Sequence, residues 1–278
     1  MYSKEIIRRV KQLRVDGSTL TEIVFKTGLS KSRAFDYIRN IPQSEYLVEK
    51  IRTNKFNARR IIAENRRGKS VKKYPFNRPE KWDSDLVNVI SHFLFDGRIT
   101  RVSCTYYNRS EVLVNLMQER VTKLLRVSDY KRYVTAEKVI RLSYFHVEIA
   151  TFIRKKADEL FTYIVSAPTE HKISFLRAFF DDEGSVTFNK KKRAVRGYQH
   201  SLEILHLIRK LLGELKISST VDEKYFEISI YRKENLLKFQ KYINFTKGLR
   251  VNGKRTNSIW KKDLEKREIL KMALDSYL

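Results

Sequence analysis

The chain has 278 residues, with 58 Lys and Arg against 32 Asp and Glu, a formal net charge of +26. Hydrophobic residues at 42% and aromatics at 12% are too many for a disordered basic tail, so the charge sits on a folded protein. Such an excess calls for a polyanionic partner, nucleic acid before an anionic membrane surface. No run approaches the ~18 uncharged apolar residues of a membrane span, so no membrane partner is expected. A single cysteine, Cys104, rules out a disulfide framework or a Cys-based zinc site, and nine glycines form no Walker-type or dinucleotide-type loop, so no nucleotide cofactor is expected. The opening MYSKEIIRRVKQLRVDG lacks an apolar h-region, which points to a cytoplasmic, prokaryotic protein, nucleoid-associated when bound.

Ile6, Ile7, Val10 and Leu13 mark one face of a first helix, stopped by Asp16 and Gly17. Ser18 or Thr19 can cap the next helix, and Gly28, Leu29 and Ser30 join it to a third. This spacing predicts an all-α helix-turn-helix domain over 1–42, with Lys31, Ser32, Arg33, Asp36 and Arg39 turned outward as a DNA major groove would need; a three-helix protein-binding module has the same shape. Residues 43–81 read as a basic linker, an amphipathic helix followed by a strap with Pro75 and Pro79, either a solvated tether or a DNA-tracking arm.

From Trp82 the chain repeats itself. DLVNVISHFLFDG (85–97) and HKISFLRAFFDDEG (171–184) are apolar helices ending in an acid and a glycine, with Asp96 and Glu183 87 residues apart. Strand signals follow both, and then helices in which, at a shift of 91, Leu113 meets Ile204, Leu116 meets Leu207, Met117 meets Ile208, Val121 meets Leu212 and Leu124 meets Leu215. Strands VIRLSYF (139–145) and YFEISIY (225–231) match at a shift of 86. The order of correspondences predicts a duplicated α-β-β-α-β-β-α unit, 82–168 and 169–246, followed by a C-terminal helical extension, 247–278, carrying Trp260, Leu264, Leu270 and Leu274.

Two such helices can lie side by side only if small residues let them approach, and Ser91 and Ala178 occupy equivalent places. Parallel packing brings Asp96 and Glu183 together at the negative ends of two helix dipoles, a repulsion that divalent cations relieve; hard oxygen ligands suit Mg2+. A carboxylate–metal cluster facing phosphate is what phosphodiester hydrolysis needs. Gly97 and Gly184 let the chain leave each helix sharply.

Leu176 through Gly184, LRAFFDDEG, resembles the LAGLIDADG motif of homing endonucleases, and Val89 through Gly97 is a poorer first copy in which Leu94 stands where the second has Asp181. The resemblance covers about residues 82–246. It implies an α+β, pseudo-twofold saddle that acts as a monomer, binds a long stretch of double-stranded DNA and, with Mg2+, cuts both strands across the minor groove to leave short 3′ overhangs. It also implies a basic residue near each centre, with Lys247 the candidate in the second copy and Arg154 to Lys156 in the first. The strands after the helices would form the DNA-facing surface: Arg98, Arg101, Ser103, Thr105 and Tyr107 in one copy, Ser185, Thr187 and Asn189 in the other. Lys190, Lys191, Lys192 and Arg193 form a hairpin tip, as phosphate clamps or a solvated turn. His92 reads as a helix-interface residue, and the five histidines show no metal-ligand spacing. Some bacterial transcription regulators resemble the same fold joined to a helix-turn-helix, so a non-cleaving DNA-binding regulator stands as the alternative function.

Overall fold

A computed structural model describes residues 3–66, 75–189, 192–251 and 263–277, and the chain divides into two units, 1–74 and 75–278. In the first unit, α1 (Lys4–Val15), α2 (Leu20–Thr27) and α3 (Lys31–Ile38) enclose a core of Val10, Ile23, Leu29, Ala34 and Ile38. The caps define the turns. Thr19 and Glu22 form a reciprocal capping box at the start of α2, Gly28 ends it at φ 68°, and Ser30 caps α3. The region expected as a linker begins as a long helix, α4 (Glu45–Arg66). Its start buries Leu47 and is tied to α2 by the Lys50–Glu22 ion pair at 2.9 Å; residues 52–65 are exposed throughout.

The second unit runs through the same seven elements twice. The first pass is α5 (Ser84–Phe95), β1 (Gly97–Ile99), β2 (Cys104–Asn108), α6 (Glu111–Leu125), β3 (Lys131–Val134), β4 (Ile140–Tyr144) and α7 (Val147–Ser166). The second is α8 (Thr169–Glu183), β5 (Gly184–Asn189), β6 (Lys192–Tyr198), α9 (Leu202–Glu214), β7 (Thr220–Asp222), β8 (Glu227–Ile230) and α10 (Lys233–Tyr242). Each pass makes one antiparallel four-stranded sheet, in the orders β1-β2-β4-β3 and β5-β6-β8-β7. The registers fix the equivalences: Gly97 lies opposite Tyr106 as Gly184 lies opposite Gly197, and Thr105 opposite Ser143 as Arg196 opposite Ser229. One face of each sheet packs on the helices through residues such as Tyr106, Leu142, Val195 and Ile228, all fully buried.

Two expectations change. The strand expected to carry Arg101, Ser103, Thr105 and Tyr107 starts only at Cys104, because Thr100 closes a tight turn: its amide donates to the Ser103 carbonyl at 2.8 Å and its hydroxyl lies 2.9 Å from that of Ser103. Arg101 is therefore exposed in a bend, and Ser103 is buried in the turn. The C-terminal helix is α11 (Lys266–Asp275), packed on β5, β6 and α10 by Ile269, Leu270, Ala273 and Leu274; Trp260 lies outside the described residues. Among the described residues no helix is long and apolar enough to cross a membrane.

Candidate active site at the ends of the paired helices

Helices α5 and α8 pack along their length and run in the same direction. Asn88 near the start of α5 donates to the Ser174 carbonyl at 3.3 Å, Phe95 packs edge-on against Phe175 and Phe179, and His92 reaches Asp182 near the end of α8. Their small residues are deeply buried. Ala178 and Ser91 are fully covered, and the Ser91 hydroxyl is absorbed by the Val87 carbonyl at 2.6 Å, so it costs no unpaired group. At the motif glycines the chain leaves each helix with no room for a side chain. A β-carbon on Gly97 would lie 2.2 Å from the Phe93 carbonyl oxygen, and one on Gly184 2.2 Å from that of Phe180. Each strand starts so close to its own helix that no side chain fits at its first residue.

This arrangement delivers two carboxylates to the same end of the pair. Burial first, then the charges of Asp182 and Glu183, push the Asp96 carboxyl up to about 8. Burial and Asp182 push Glu183 up to about 7. Two half-buried acids that resist ionising together make a repulsion that a divalent cation would relieve. Among the described residues no cluster of three or more His, Cys, Asp or Glu makes a closed metal site. Two carboxylate donors with positions left for phosphate oxygens and water are nevertheless what Mg2+ takes in phosphate chemistry, so the donor set fits that ion.

A third acid, Asp182, was not singled out from the sequence, yet it organises the centre. Its side chain is fully buried and saturated: Oδ1 accepts from the Tyr106 hydroxyl at 2.6 Å and from Asn108 Nδ2 at 3.3 Å, and Oδ2 lies 2.7 Å from His92 Nδ1. Asn108 Nδ2 also donates to Asp96 Oδ2 at 2.8 Å, while its carbonyl oxygen accepts the Ser110 amide at 2.9 Å. Asp96 is thereby tied through Asn108 to the neighbouring helix. The symmetry-related places, shared between the two repeats, hold apolar groups. Phe95 stands for Asp182, Phe179 for His92 and Gly197 for Tyr106, and a β-carbon on Gly197 would strike the Phe179 ring at 2.4 Å. The ring pairs keep similar edge-on geometry, 5.5 Å for His92–Tyr106 and 5.3 Å for Phe95–Phe179. One half of the interface is polar and the other dry.

Lys266, on α11, packs against the carbonyl end of α8. It is buried, its amine donates to the Asp181 carbonyl at 2.9 Å and the Phe180 carbonyl at 3.4 Å, and it lies over the Phe245 ring at 5.2 Å. Burial pulls its pKa down, and Asp181, Asp182, Asp96 and Glu183 together oppose that. Lys247, the sequence candidate, is exposed in the turn before Gly248, and no polar contact joins it to these acids among the described residues. Lys156 is buried on α7, where it bonds Glu159 at 3.0 Å and sits over Trp82. Asp181, the motif's first acid, turns away to hold Thr246, accepting its amide at 2.8 Å and its hydroxyl at 2.6 Å. That bond anchors the chain leaving α10 and accounts for an acid that does no work at the centre.

The outer sheet faces carry the remaining candidates. Arg98, Thr105 and Tyr107 share one face, as do Ser185, Thr187 and Asn189. Lys192 is exposed, but Arg193 is not a free clamp: its Nε and Nη2 bond the Ser276 hydroxyl and carbonyl at 2.6 and 2.8 Å, with its guanidinium 4.5 Å from the Tyr277 ring. Lys190 and Lys191 lie outside the described residues. In the first unit Lys31, Ser32, Arg33 and Arg39 are exposed on and just after α3.

Residues 170–244 match the family described as LAGLIDADG-like domain. An uncharacterized protein of Methanocaldococcus jannaschii is 24% identical over 273 residues, spanning 87% of this chain and 89% of the relative. Mesophilic variants of the homing endonuclease I-DmoI align with a TM-score of 0.46 and 16% identity, over 58% of this chain and 88% of theirs. The N-terminal LAGLIDADG domain of DUF199/WhiA aligns with a TM-score of 0.46 and 17% identity, over 62% and 88%. The chain thus carries a LAGLIDADG-like domain over residues 170–244, the second pass of the duplicated α-β-β-α-β-β-α unit.

Proposed function

We propose that the protein is a monomeric, site-specific endonuclease of homing type that hydrolyses double-stranded DNA with a divalent cation, Mg2+ in the cell. The observation that carries this reading is the pair of equivalent, half-buried acids, Asp96 and Glu183, at the ends of matched helices in a chain of net charge +26. These two carboxylates hold the cation, which when bound supplies Lewis acidity and activates water at the scissile phosphate. Asn108 fixes the rotamer of Asp96, and Asp182 fixes Asn108. Lys266 replaces Lys247 as the basic residue of the centre; from the carbonyl end of α8 it offsets the charge of four acids. The polar sheet faces bind the duplex, and the exposed basic surface of α3 adds a second hold.

Asp96→Asn and Glu183→Gln test the assignment. Each variant should bind duplex DNA within about threefold of wild type and lose cleavage by at least ~100-fold, as removal of one charge-stabilising group does. Wild-type cleavage by either variant removes that residue from the mechanism. The exposed, DNA-reader-like face of α3 favours a second reading, a regulator that binds and does not cut, and it predicts footprints without product ends.

A further inference from the structure

The two outer sheet faces, matched strand for strand, carry opposite charge at one row. In the first repeat the row is Tyr107, Arg141 and Tyr133, on β2, β4 and β3. The Arg141 guanidinium lies 5.3 Å from the Tyr107 ring and 5.4 Å from the Tyr133 ring, and Nη1 donates to the Tyr133 hydroxyl at 2.9 Å. Its Nε is buried with no partner among the described residues. The matching row of the second repeat is Tyr198, Glu227 and Asp222. There Glu227 accepts the Ser229 hydroxyl at 2.8 Å and pairs with Arg196 at 3.4 Å. Equivalent positions thus present a guanidinium in one half and a carboxylate in the other.

The row also has an address along the site. The Tyr107 amide donates to the Asp96 carbonyl at 2.8 Å, so Tyr107 and its neighbours lie level with the acid of the first centre. A guanidinium held between two rings has already lost most of its rotamer freedom, and a planar fork of N–H donors matches the O6 and N7 acceptors of guanine. A carboxylate at the same place repels those two acceptors and suits a base that offers an amino group.

On the duplex-DNA reading above, we infer that Arg141 selects a guanine close to the cut in the half-site under the first repeat, and that Glu227 excludes guanine from the symmetry-related position under the second. The recognised sequence is therefore asymmetric at this pair of positions because of two residues.

The test is selection of bound duplexes from a randomised library, with Ca2+ present to allow binding and the full-length chain throughout. Wild type should return a guanine at one position and disfavour guanine at its symmetry mate. Arg141→Gln should erase the guanine preference at that one position, about ten- to a hundredfold in relative affinity, and leave the other positions unchanged. Arg141→Lys keeps the charge without the fork and should erase it as well; Glu227→Gln should admit guanine at the mate. If Arg141→Gln weakens all sequences evenly with the same consensus, Arg141 is a phosphate contact and the inference is overturned. Absence of any selected duplex would instead overturn the duplex-binding reading itself. Circular dichroism melting of each variant, expected within about 2 °C of wild type, separates lost recognition from lost folding.

Discussion

Replacing Asp96 by Asn removes a charge and almost nothing else. The side chains are nearly isosteric, and the Asn oxygen can still accept the hydrogen bond that Asn108 now gives to Asp96 at 2.8 Å. In the metal-free protein this should be stabilising at high pH. Burial and the nearby Asp182 and Glu183 raise the folded-state carboxyl from 3.8 to about 8. The folded state thus keeps the proton that the unfolded chain has lost, so this group's contribution to stability is full below about pH 4 and is lost as the pH rises towards 8. At about 1.4 kcal/mol per unit of pKa, the penalty near pH 7.5 is about 2–5 kcal/mol, the lower end applying where water enters to relax the charge. For a unit of this size the variant should melt about 5–15 °C above wild type at pH 8 in EDTA, and within a degree or two of it at pH 4. Saturating Mg2+ should close the gap from the other side, raising wild type by about 3 kcal/mol at a hundred times its dissociation constant and leaving the variant unmoved. Calorimetry of both proteins at the two pH values, with and without Mg2+, measures all four quantities. A variant less stable than wild type at pH 8, or a gap that ignores pH, would refute the picture of two mutually repelling acids awaiting a cation.

Other residues give sharper local tests. His92→Phe, which copies the second repeat's Phe179, should cost about 1–3 kcal/mol in urea denaturation, because it leaves the buried Asp182 Oδ2 without its hydrogen-bond partner. Gly184→Ala should cost about 3 kcal/mol or more, since its β-carbon would fall 2.2 Å from the Phe180 carbonyl oxygen. Gly213→Ala, on α9 with open space around it, should instead stabilise by about 0.5–1 kcal/mol; equal costs at the two glycines would contradict the close-approach argument. Lys266→Met should abolish cleavage and keep duplex affinity in gel-shift titrations, whereas Lys247→Met should alter neither by more than about twofold.

The duplication made most of the second unit legible in advance. Its period placed Asp96 opposite Glu183 and Ser91 opposite Ala178, and the strand registers reproduce the shifts of 91 and 86 residues read from the helices and strands. What escaped depends on contacts that periodicity does not encode. Lys266 is 83 residues beyond Glu183 in the chain, in a C-terminal helical extension outside both repeats. Asp182 sits inside an apolar motif where its repeat partner is Phe95, and that mismatch was the available signal for a buried polar cluster. Asn108, two residues after the buried Tyr106, carried a similar hint. The alternation of Val102, Cys104 and Tyr106 ran unbroken through what is a tight turn, because Thr100 and Ser103 close it with side-chain hydrogen bonds that hydrophobic pattern cannot register. Arg193 was grouped with its lysine neighbours by charge alone, while Ser276, 83 residues away, holds it.

The most direct test of the central claim is end-sequencing of a randomised duplex library after incubation with the full-length protein and Mg2+. The account predicts discrete, recurrent ends on both strands that vanish with EDTA and with Asp96→Asn or Glu183→Gln. Protected footprints on the same sequences, with no ends produced at any divalent ion, would contradict it and leave a DNA-binding protein that has kept the fold without the chemistry.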